Sequence, residues 1–301
     1  MTTTFPTGEQ YEISSGEHVA VVTEVGATLR SYSVAGHDVV RGFGVDEEVH
    51  MGRGQQLLPW PNRIRDGVYT FDGTEYQLAL AEPDRHNAIH GLVRYVAWEL
   101  LEKTRRSVRQ RVMVRPQQGW PGTLEATITH TVGDDGLEVA VSAVNLGREP
   151  VPFGYAAHPY LTVGEKVVDE VDVRLPAGKW LEVDDRLLPV ALHPVDPEHD
   201  LRTLTRLGGR SFDTAFTDLK RDEDGRWRVC LRRGDRRATL WADASYPWLQ
   251  VFTGDHLRDL SIAVEPMTCG PDAFNEGVTH DSMLVLPAGG RFSGLWGISG
   301  R

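Results

Sequence analysis

The chain of 301 residues contains only two cysteines, Cys230 and Cys269, which stand far apart and show no CxxC or CxxH spacing. This pattern favours reduced thiols and gives no sign of a structural zinc site. No apolar run approaches the length of a membrane span, and the first residues lack the basic and apolar regions of a secretory signal. We therefore expect a cytoplasmic protein with no membrane contact.

Positive charge is also scarce. The sequence has 32 Lys and Arg against 43 Asp and Glu, for a net charge of −11, and no run of Lys or Arg forms a basic stripe. Binding to nucleic acid relies on such residues to neutralise phosphates, so the composition argues against a nucleic-acid partner and against an anionic membrane surface.

Amphipathic helices of three or more turns are missing, and period-two patterns take their place. Residues 124–145 alternate apolar and polar positions around a Gly-Asp-Asp-Gly turn, residues 226–243 repeat the idea, and Asp72-Gly73 predicts a further hairpin turn. Residues 183–210 are rich in Pro, His and Asp and predict long outer loops, whereas residues 46–56 fit either a short helical turn or a loop. The pattern indicates an all-β fold: a large antiparallel β-sandwich with few short helices, in one domain over residues 1–301.

The stretch from Leu57 to Gly91 is dense in residue types that serve binding sites. It opens with Trp60-Pro61-Asn62-Arg63 and closes with His90-Gly91. Because Pro59 and Pro61 fix φ and remove backbone donors, we expect a rigid turn that reaches the surface, where binding groups often lie. Taken singly, Arg63 also fits a surface ion pair, and His90 fits a polar gap in the packing.

Four later residues carry chemistry of the same kind. Glu265 ends an apolar run, where a carboxylate is costly unless it is paired or used, and burial there would raise its pKa into the range of a proton acceptor. His158 precedes Pro159 and can donate a proton near physiological pH. Asp213 can orient a ligand hydroxyl, and Gln250 lies in a predicted strand. A loop anchor, a core histidine, a turn-forming aspartate and a solvent-facing glutamine are the structural alternatives.

The sequence has no nucleophilic serine elbow, no Gly-rich phosphate loop and no metal-ligand spacing. What it has instead is an ordered set of segments: PNRI, NAIHG, GYAAHPY, SFDTAF, LQVFTGD, VEPMTCGPDAFN and PAGGRFSGLWGI. Over nearly the whole chain this set resembles the aldose 1-epimerase (galactose mutarotase) family.

The resemblance implies the galactose mutarotase-like β-sandwich, the supersandwich, and an isomerase activity. That activity interconverts the α and β anomers of an aldohexose such as glucose or galactose, by acid and base catalysis of ring opening and reclosure. It implies a monosaccharide as the partner, with no cofactor and no metal. We expect a monomer or a homodimer.

The resemblance also assigns roles to residues. Glu265 matches the general base that takes the proton from the C1 hydroxyl, and His158 matches the general acid that protonates the ring oxygen. Arg63 and His90 match residues that hydrogen-bond the sugar ring, and Asn62 adjoins Arg63 in the PNRI motif. Two residues match further polar contacts to the sugar: Asp213 and Gln250.

Two departures from the family leave the substrate open. Leu92 stands where many galactose mutarotases have a second Gly, and Ala157 stands where many have Asn. The segment His90 to Arg94 also resembles hexose-6-phosphate mutarotases, in which an arginine at the position of Arg94 helps to hold phosphate. The alternative for Arg94 is an exposed arginine on a strand.

Two other classes of function remain to be weighed. A non-catalytic carbohydrate-binding protein of the same fold predicts loss of the acid or the base, yet both Glu265 and His158 are present. A glycoside hydrolase or lyase shares the sandwich architecture, but a hydrolase usually needs two opposed carboxylates, for which only Asp213 offers itself as partner to Glu265.

Overall fold

Strands make up nearly all of the regular structure. The computed structural model of the protein describes residues 4–164, 167–254 and 260–301. Three short 3₁₀ helices, Pro83–Arg85, Val168–Glu170 and His280–Ser282, are the helical elements of these ranges, and none of them is long and apolar enough to cross a membrane. The predicted all-β class is confirmed.

The strands are numbered in chain order. They are β1 (Gln10–Ser15), β2 (His18–Thr23), β3 (Leu29–Val34), β4 (His37–Val40), β5 (Gln56–Leu57), β6 (Arg63–Arg65), β7 (Val68–Phe71), β8 (Thr74–Gln77), β9 (Asn87–Ile89), β10 (Glu99–Lys103), β11 (Ser107–Val114), β12 (Leu124–Gly133), β13 (Gly136–Asn145), β14 (Val151–Phe153), β15 (Ala156–Ala157), β16 (Tyr160–Leu161), β17 (Asp172–Arg174), β18 (Ala177–Val183), β19 (Pro189–Pro194), β20 (Thr205–Arg206), β21 (Asp213–Leu219), β22 (Trp227–Arg233), β23 (Arg236–Ala242), β24 (Trp248–Phe252), β25 (Ile262–Met267), β26 (Leu284–Leu286) and β27 (Arg291–Gly300).

Two large antiparallel sheets hold most of the strands. In the described ranges the first sheet runs β1-β2-β3-β4-β16-β25-β24-β21-β18-β19, with β15 joining β25 to β5 at one side. The second runs β10-β11-β12-β13-β27-β23-β22-β17-β20. The pairs β6–β9, β7–β8 and β14–β26 form separate ribbons. About half of the paired strands in the two large sheets are consecutive in the chain, as in β1-β2-β3-β4 and β10-β11-β12-β13, which agrees with the turn-rich sequence.

The main core lies where the two sheets face each other. Every second residue of β12 is buried, and β13 alternates in the same way, so one face of this hairpin packs inward. Ile128 and Val139 of the second sheet belong to the same buried cluster as Leu249 and Val264 of the first sheet. The period-two pattern read from residues 124–145 is therefore confirmed as a half-buried antiparallel hairpin.

The opposite face of the first sheet carries a smaller buried cluster. Its members alternate with the main-core residues along the same strands, because successive side chains of a strand point to opposite faces. They are Leu57, Ala156, Leu181, Ala215, Trp248 and Met267. This second apolar layer supports the face on which the candidate site lies.

Two local predictions need correction. Residues 183–210 are not only loops, because β19 and β20 lie among them and β19 pairs with β18. β19 is the last strand of its sheet and is only partly buried along its length, so its sequence shows no clean alternation of apolar and polar residues.

The Trp60-Pro61-Asn62-Arg63 corner does not reach the surface: residues 55–64 are all buried. Residues 46–55 form turns and loop, the second of the two alternatives.

Candidate active site

Glu265 stands in the middle of the first sheet with its side chain on the face of the second apolar layer. It lies in β25 two residues before Met267, which puts both side chains on the same face, and it is 2% exposed. Its partner across the strands is Gln250 of β24. Because the neighbouring residues of β25 are buried, the carboxyl group of Glu265 is almost fully shielded from water.

His158 lies in the short break between β15 and β16 and faces Glu265. Its backbone N–H donates to the carbonyl of Gln55, and its carbonyl accepts from the N–H of Gly54. The imidazole stacks on the ring of Tyr160, with centroids 5.2 Å apart and planes at 12°. The hydroxyl of Tyr160 in turn donates to the carbonyl of Met51. The loop of residues 50–55 and Tyr160 together hold the imidazole in one orientation.

Gly52 makes this close approach possible. It has φ of +70°, and a Cβ at this position would lie 2.9 Å from Cδ2 of His158. A side chain here would both strain the backbone and collide with the imidazole, so only glycine fits without a shift. The backbone of residue 52 therefore forms one wall of the histidine position.

The pair formed by His158 and Glu265 has unusual electrostatics. Nε2 of His158 lies 3.3 Å from Oε1 of Glu265, and both side chains are buried. Burial lowers the pKa of His158 to about 3, and the charge of Arg94 acts in the same direction. Burial raises the pKa of Glu265 well above its usual range, with Asp213 adding to the rise and Arg63 opposing it. Each group thus resists its charged form.

His90 and Asn62 form the second wall of the site. The backbone N–H of Asn62 donates to Nδ1 of His90 over 3.2 Å, which makes Nδ1 the acceptor and leaves the imidazole proton on Nε2. Burial first, and then the charges of Arg94, His158 and Arg63, lower the pKa of His90 well below its usual value. His90 is therefore a neutral hydrogen-bond donor. Its ring stands edge-on to His158, with centroids 5.6 Å apart.

The turn that carries His90 depends on the glycine that follows it. Gly91 has φ of +71°, and a Cβ there would lie 2.0 Å from the carbonyl oxygen of Leu58. The segment that closes the site is thus packed directly on the backbone of the proline-rich corner. This contact explains why the corner is buried.

Arg63 begins β6 and brings a guanidinium to the site. Nη2 of Arg63 lies 3.9 Å from Oδ2 of Asp213, and Nη1 lies 3.5 Å from Oδ1 of Asn62. Its strongest contacts are with Glu82: Nε donates to Oε2 over 2.8 Å, and Nη2 donates to Oε1 over 2.9 Å. The surface ion pair considered for Arg63 is in fact a nearly buried pair at the edge of the site.

Asp213 and Gln250 complete the polar lining. Nε2 of Gln250 donates to Oδ1 of Asp213 over 2.6 Å. Burial raises the pKa of Asp213, while Arg63 and this hydrogen bond lower it. In the described part of the chain, Oε1 of Gln250 and Oε2 of Glu265 are buried without a hydrogen-bond partner. Two acceptors left open side by side are suited to the hydroxyl groups of a ligand.

Arg94 lies in a turn rather than on a strand, and it is partly buried rather than exposed. Its Nη2 donates to the carbonyl of Ile89 over 3.4 Å, and its guanidinium lies over the ring of Tyr95. Its charge depresses the pKa of both His90 and His158. The structural alternative of an exposed strand arginine is therefore wrong.

The predicted site residues thus come together from distant parts of the chain, linked by contacts or by charge. They are Asn62, Arg63, His90, Arg94, His158, Asp213, Gln250 and Glu265.

Sequence reasoning missed two residues that shape this site: Glu82, which holds Arg63, and Arg53, whose charge acts on Tyr160. It also did not predict that Tyr160 stacks on His158. Glu82 lies in a polar loop of ordinary appearance, AEPDRH, and carries no local signal. Tyr160 is part of the AHPY motif and its position beside His158 was the one available hint.

Known proteins share both the sequence pattern and the fold. The family model "Aldose 1-epimerase" matches residues 9–294. The uncharacterized protein YihR of Escherichia coli is 32% identical over 285 residues, which cover 94% of this chain and 90% of that protein. A galactose mutarotase of Sus scrofa is 27% identical over 274 residues, covering 83% of this chain and 79% of that protein.

Solved structures agree on the fold. A galactose mutarotase-like protein from Clostridium acetobutylicum superposes with a TM-score of 0.86 at 18% identity, covering 96% of this chain and 94% of that one. A likeness at this identity concerns the architecture alone. Because the family model covers nearly the whole chain, and the relative from Escherichia coli exceeds 30% identity over most of it, the chain belongs to the aldose 1-epimerase family.

Proposed function

We propose that this protein is a mutarotase that interconverts the α and β anomers of an aldohexose such as glucose or galactose. The observation that carries the proposal is the buried pair of His158 and Glu265, with Nε2 and Oε1 3.3 Å apart. Two groups that converge on one point suit a hemiacetal, in which both reacting oxygens are bonded to one carbon. Membership of the aldose 1-epimerase family supports the same reaction.

In the proposed reaction Glu265 accepts the proton of the C1 hydroxyl while His158 donates a proton to the ring oxygen. The C1–O5 bond breaks and an open-chain aldehyde forms. Rotation about the C1–C2 bond presents the other face of the aldehyde, and the ring closes as the two residues return the protons in the reverse sense. The number of protons is conserved over the cycle, and no external acceptor is needed.

The electrostatics of the site suit this transfer of protons. A neutral imidazole beside a protonated carboxyl holds the same number of protons as an imidazolium beside a carboxylate. Moving one proton from Glu265 to His158 therefore creates the base and the acid together. A positioned proton transfer typically contributes on the order of 10² to 10⁴ in rate.

The remaining polar groups suit the binding of a sugar. The neutral Nε2–H of His90 and the guanidinium of Arg63 offer donors, whereas Asp213 and the open oxygen of Gln250 offer acceptors. Such a mixture matches hydroxyl groups, each of which donates one hydrogen bond and accepts others. We assign these residues to substrate binding.

Arg94 favours a second candidate substrate, a hexose 6-phosphate. Its guanidinium is partly buried beside His90 and His158, and within the described ranges it makes no ion pair with a carboxylate. An unpaired cation at a site is available for an anionic group. The neighbouring sequence offers few further donors, so the free sugar remains the first proposal.

Polarimetry tests both proposals. Freshly dissolved α-D-glucose, α-D-galactose and glucose 6-phosphate are followed with the wild type, Glu265→Gln, Arg94→Met and, as a control, Glu102→Gln on the exposed strand β10. We expect the wild type and the control to speed equilibration of a free sugar, and Glu265→Gln to lose most of that rate. Arg94→Met alters the charge beside His90 and His158, and we expect it to change the rates with a free sugar and with glucose 6-phosphate by the same factor.

Three results would change the assignment. A rate with glucose 6-phosphate that falls further in Arg94→Met than the rate with a free sugar transfers the proposal to the phosphorylated sugar. Sugar binding without turnover in the wild type makes the protein a non-catalytic carbohydrate-binding member of the fold. An unchanged rate in Glu265→Gln removes Glu265 as the base.

A further inference from the structure

We propose that Glu82 is a positioning residue, which fixes the guanidinium of Arg63 at the edge of the site and offsets its charge there. The kinetic part of this inference rests on the proposed mutarotase function. The structural part concerns the ionisation of the site itself and stands apart from turnover. Glu82 makes no direct contact with either member of the His158–Glu265 pair and acts through Arg63.

The contact between Glu82 and Arg63 is bidentate. Nε of Arg63 donates to Oε2 over 2.8 Å and Nη2 donates to Oε1 over 2.9 Å, while the two side chains are 9% and 15% exposed. Two parallel charge-assisted hydrogen bonds fix the plane of a guanidinium as well as its position. Nε and one N–H of Nη2 are bound by Glu82. The other side of Nη2 faces Asp213, and Nη1 faces Asn62.

Glu82 is itself held on several sides. Nη1 of Arg85 donates to Oε1 over 3.0 Å, and Nδ2 of Asn87 donates to Oε2 over 3.2 Å. The backbones of Glu82 and Asn87 exchange two hydrogen bonds. Arg186, from the turn between β18 and β19, reaches across and donates to Oδ1 of Asn87 and to the carbonyl of His86. The carboxylate of Glu82 therefore lies on a segment that is held both by its neighbours in sequence and by the turn between β18 and β19.

Charge gives Glu82 an effect beyond orientation. Arg63 lowers the pKa of both Asp213 and Glu265, whereas Glu82 raises the pKa of Asp213. A free guanidinium at this place would hold Glu265 more strongly in the carboxylate form and weaken it as a base. The partner carboxylate reduces that field, so Arg63 can donate hydrogen bonds to a sugar without converting the base into a permanent anion.

Two variants separate charge from geometry. Glu82→Gln removes the charge and keeps the length of the side chain, whereas Glu82→Asp keeps the charge and shortens the reach. Glu102→Gln, on an exposed strand of the other sheet, makes the same change in net charge at a distance and serves as the control. The readouts are kcat/KM for anomerisation as a function of pH, and the pKa of Glu265 from ¹³C NMR of protein enriched in [δ-¹³C]glutamate, assigned with Glu265→Gln.

For Glu82→Gln we expect the alkaline limb of the pH profile, where the His158–Glu265 pair loses its proton, and the pKa of Glu265 to move down together by about half a pH unit or more. We expect kcat to fall by about tenfold, because the guanidinium is no longer held in place. For Glu82→Asp we expect a similar loss of kcat with the limb unmoved. The control keeps both quantities at the wild-type values.

The inference is overturned if both the limb and the pKa of Glu265 stay at wild-type values in Glu82→Gln, or if kcat of Glu82→Asp stays within about twofold of the wild type. If Glu82→Gln does not fold, Glu82→Asp tests the positioning role by itself. A limb of the pH profile that moves in Glu82→Asp, where the charge at residue 82 is retained, also counts against the inference. Should the wild type turn over no aldose, the mutarotase proposal fails, while the NMR titration still decides the effect of Glu82 on Glu265.

Discussion

The imidazole of His158 and the carboxyl of Glu265 meet with Nε2 and Oε1 3.3 Å apart, and burial drives their pKa values in opposite directions. Each group on its own would be a poor catalyst in its stable form, because the neutral imidazole is a weak acid and the protonated carboxyl is no base. In the proposed reaction they exchange one proton and become an acid and a base.

The first prediction concerns the stability cost of Glu265. A carboxyl whose pKa is raised in the folded protein contributes its stability below the unfolded pKa, here 4.5, and loses it as the pH rises through the folded value. Glu265→Gln removes this loss. We expect the variant to melt at the same temperature as the wild type at about pH 4, and about 2 °C or more above it at about pH 8. Differential scanning calorimetry at the two pH values measures this, and a melting difference independent of pH contradicts it.

The second prediction assigns His158 to turnover rather than affinity. His158→Asn keeps a hydrogen-bonding side chain but removes the group that carries the proton to the ring oxygen in the proposed reaction. We expect kcat to fall by about 10² to 10⁴, with KM changed far less. Initial rates by polarimetry over a range of sugar concentrations separate the two constants. A rise in KM at constant kcat makes His158 a binding residue instead.

The third prediction tests the wall behind His158. In Gly52→Ala the new methyl group would lie 2.9 Å from Cδ2 of His158 and push the imidazole away from Glu265. We expect kcat to fall by about tenfold or more, because a small displacement of a catalytic group is costly.

Gly36→Ala is the matched control for this variant. Gly36 has φ of +77°, close to the +70° of Gly52, but no atom lies within 4 Å of the place its Cβ would take. The control carries the same backbone strain without the collision, so its loss of stability is shared and its kcat is retained. Equal kcat in the two variants would show that the contact with His158 has no role.

The fourth prediction concerns a histidine outside the site. His130 in β12 is fully buried, and in the described ranges neither ring nitrogen has a hydrogen-bond partner. Burial lowers its pKa to about 3, so its contribution to stability is present above its unfolded pKa of 6.5 and is lost as the pH falls towards 3. We expect His130→Leu to raise the free energy of unfolding by about 1 kcal/mol near neutral pH and by more in acid.

Urea unfolding at about pH 7 and about pH 5 measures that difference. His50→Leu, at an exposed loop position, is the control, and we expect no gain in the free energy of unfolding from it at either pH. A gain in His130→Leu that shrinks as the pH falls would mean that the folded protein protonates this histidine more readily than the unfolded chain does.

Part of the fold and of the site follows directly from local sequence. Alternation of apolar and polar residues identified the β12–β13 and β22–β23 hairpins, because the period of two holds wherever one face of a strand is buried. The same alternation did not identify β19, because this strand is partly exposed on both faces at the edge of its sheet. The functional motifs pointed to Glu265 and His158 because a charged or titratable residue inside an apolar segment is conspicuous in the sequence itself.

Only the tertiary structure decided how those residues act on one another. Strand pairing places Gln250 beside Glu265, and the packing of Gly91 on Leu58 turns a corner expected at the surface into a buried wall of the site. Glu82 shows the limit most clearly: its loop carries no pattern, yet its carboxylate holds Arg63 by two hydrogen bonds. Periodicity and motifs report what a residue does for its own segment, whereas burial, pKa and ion pairing depend on atoms that the folded chain brings together from far apart.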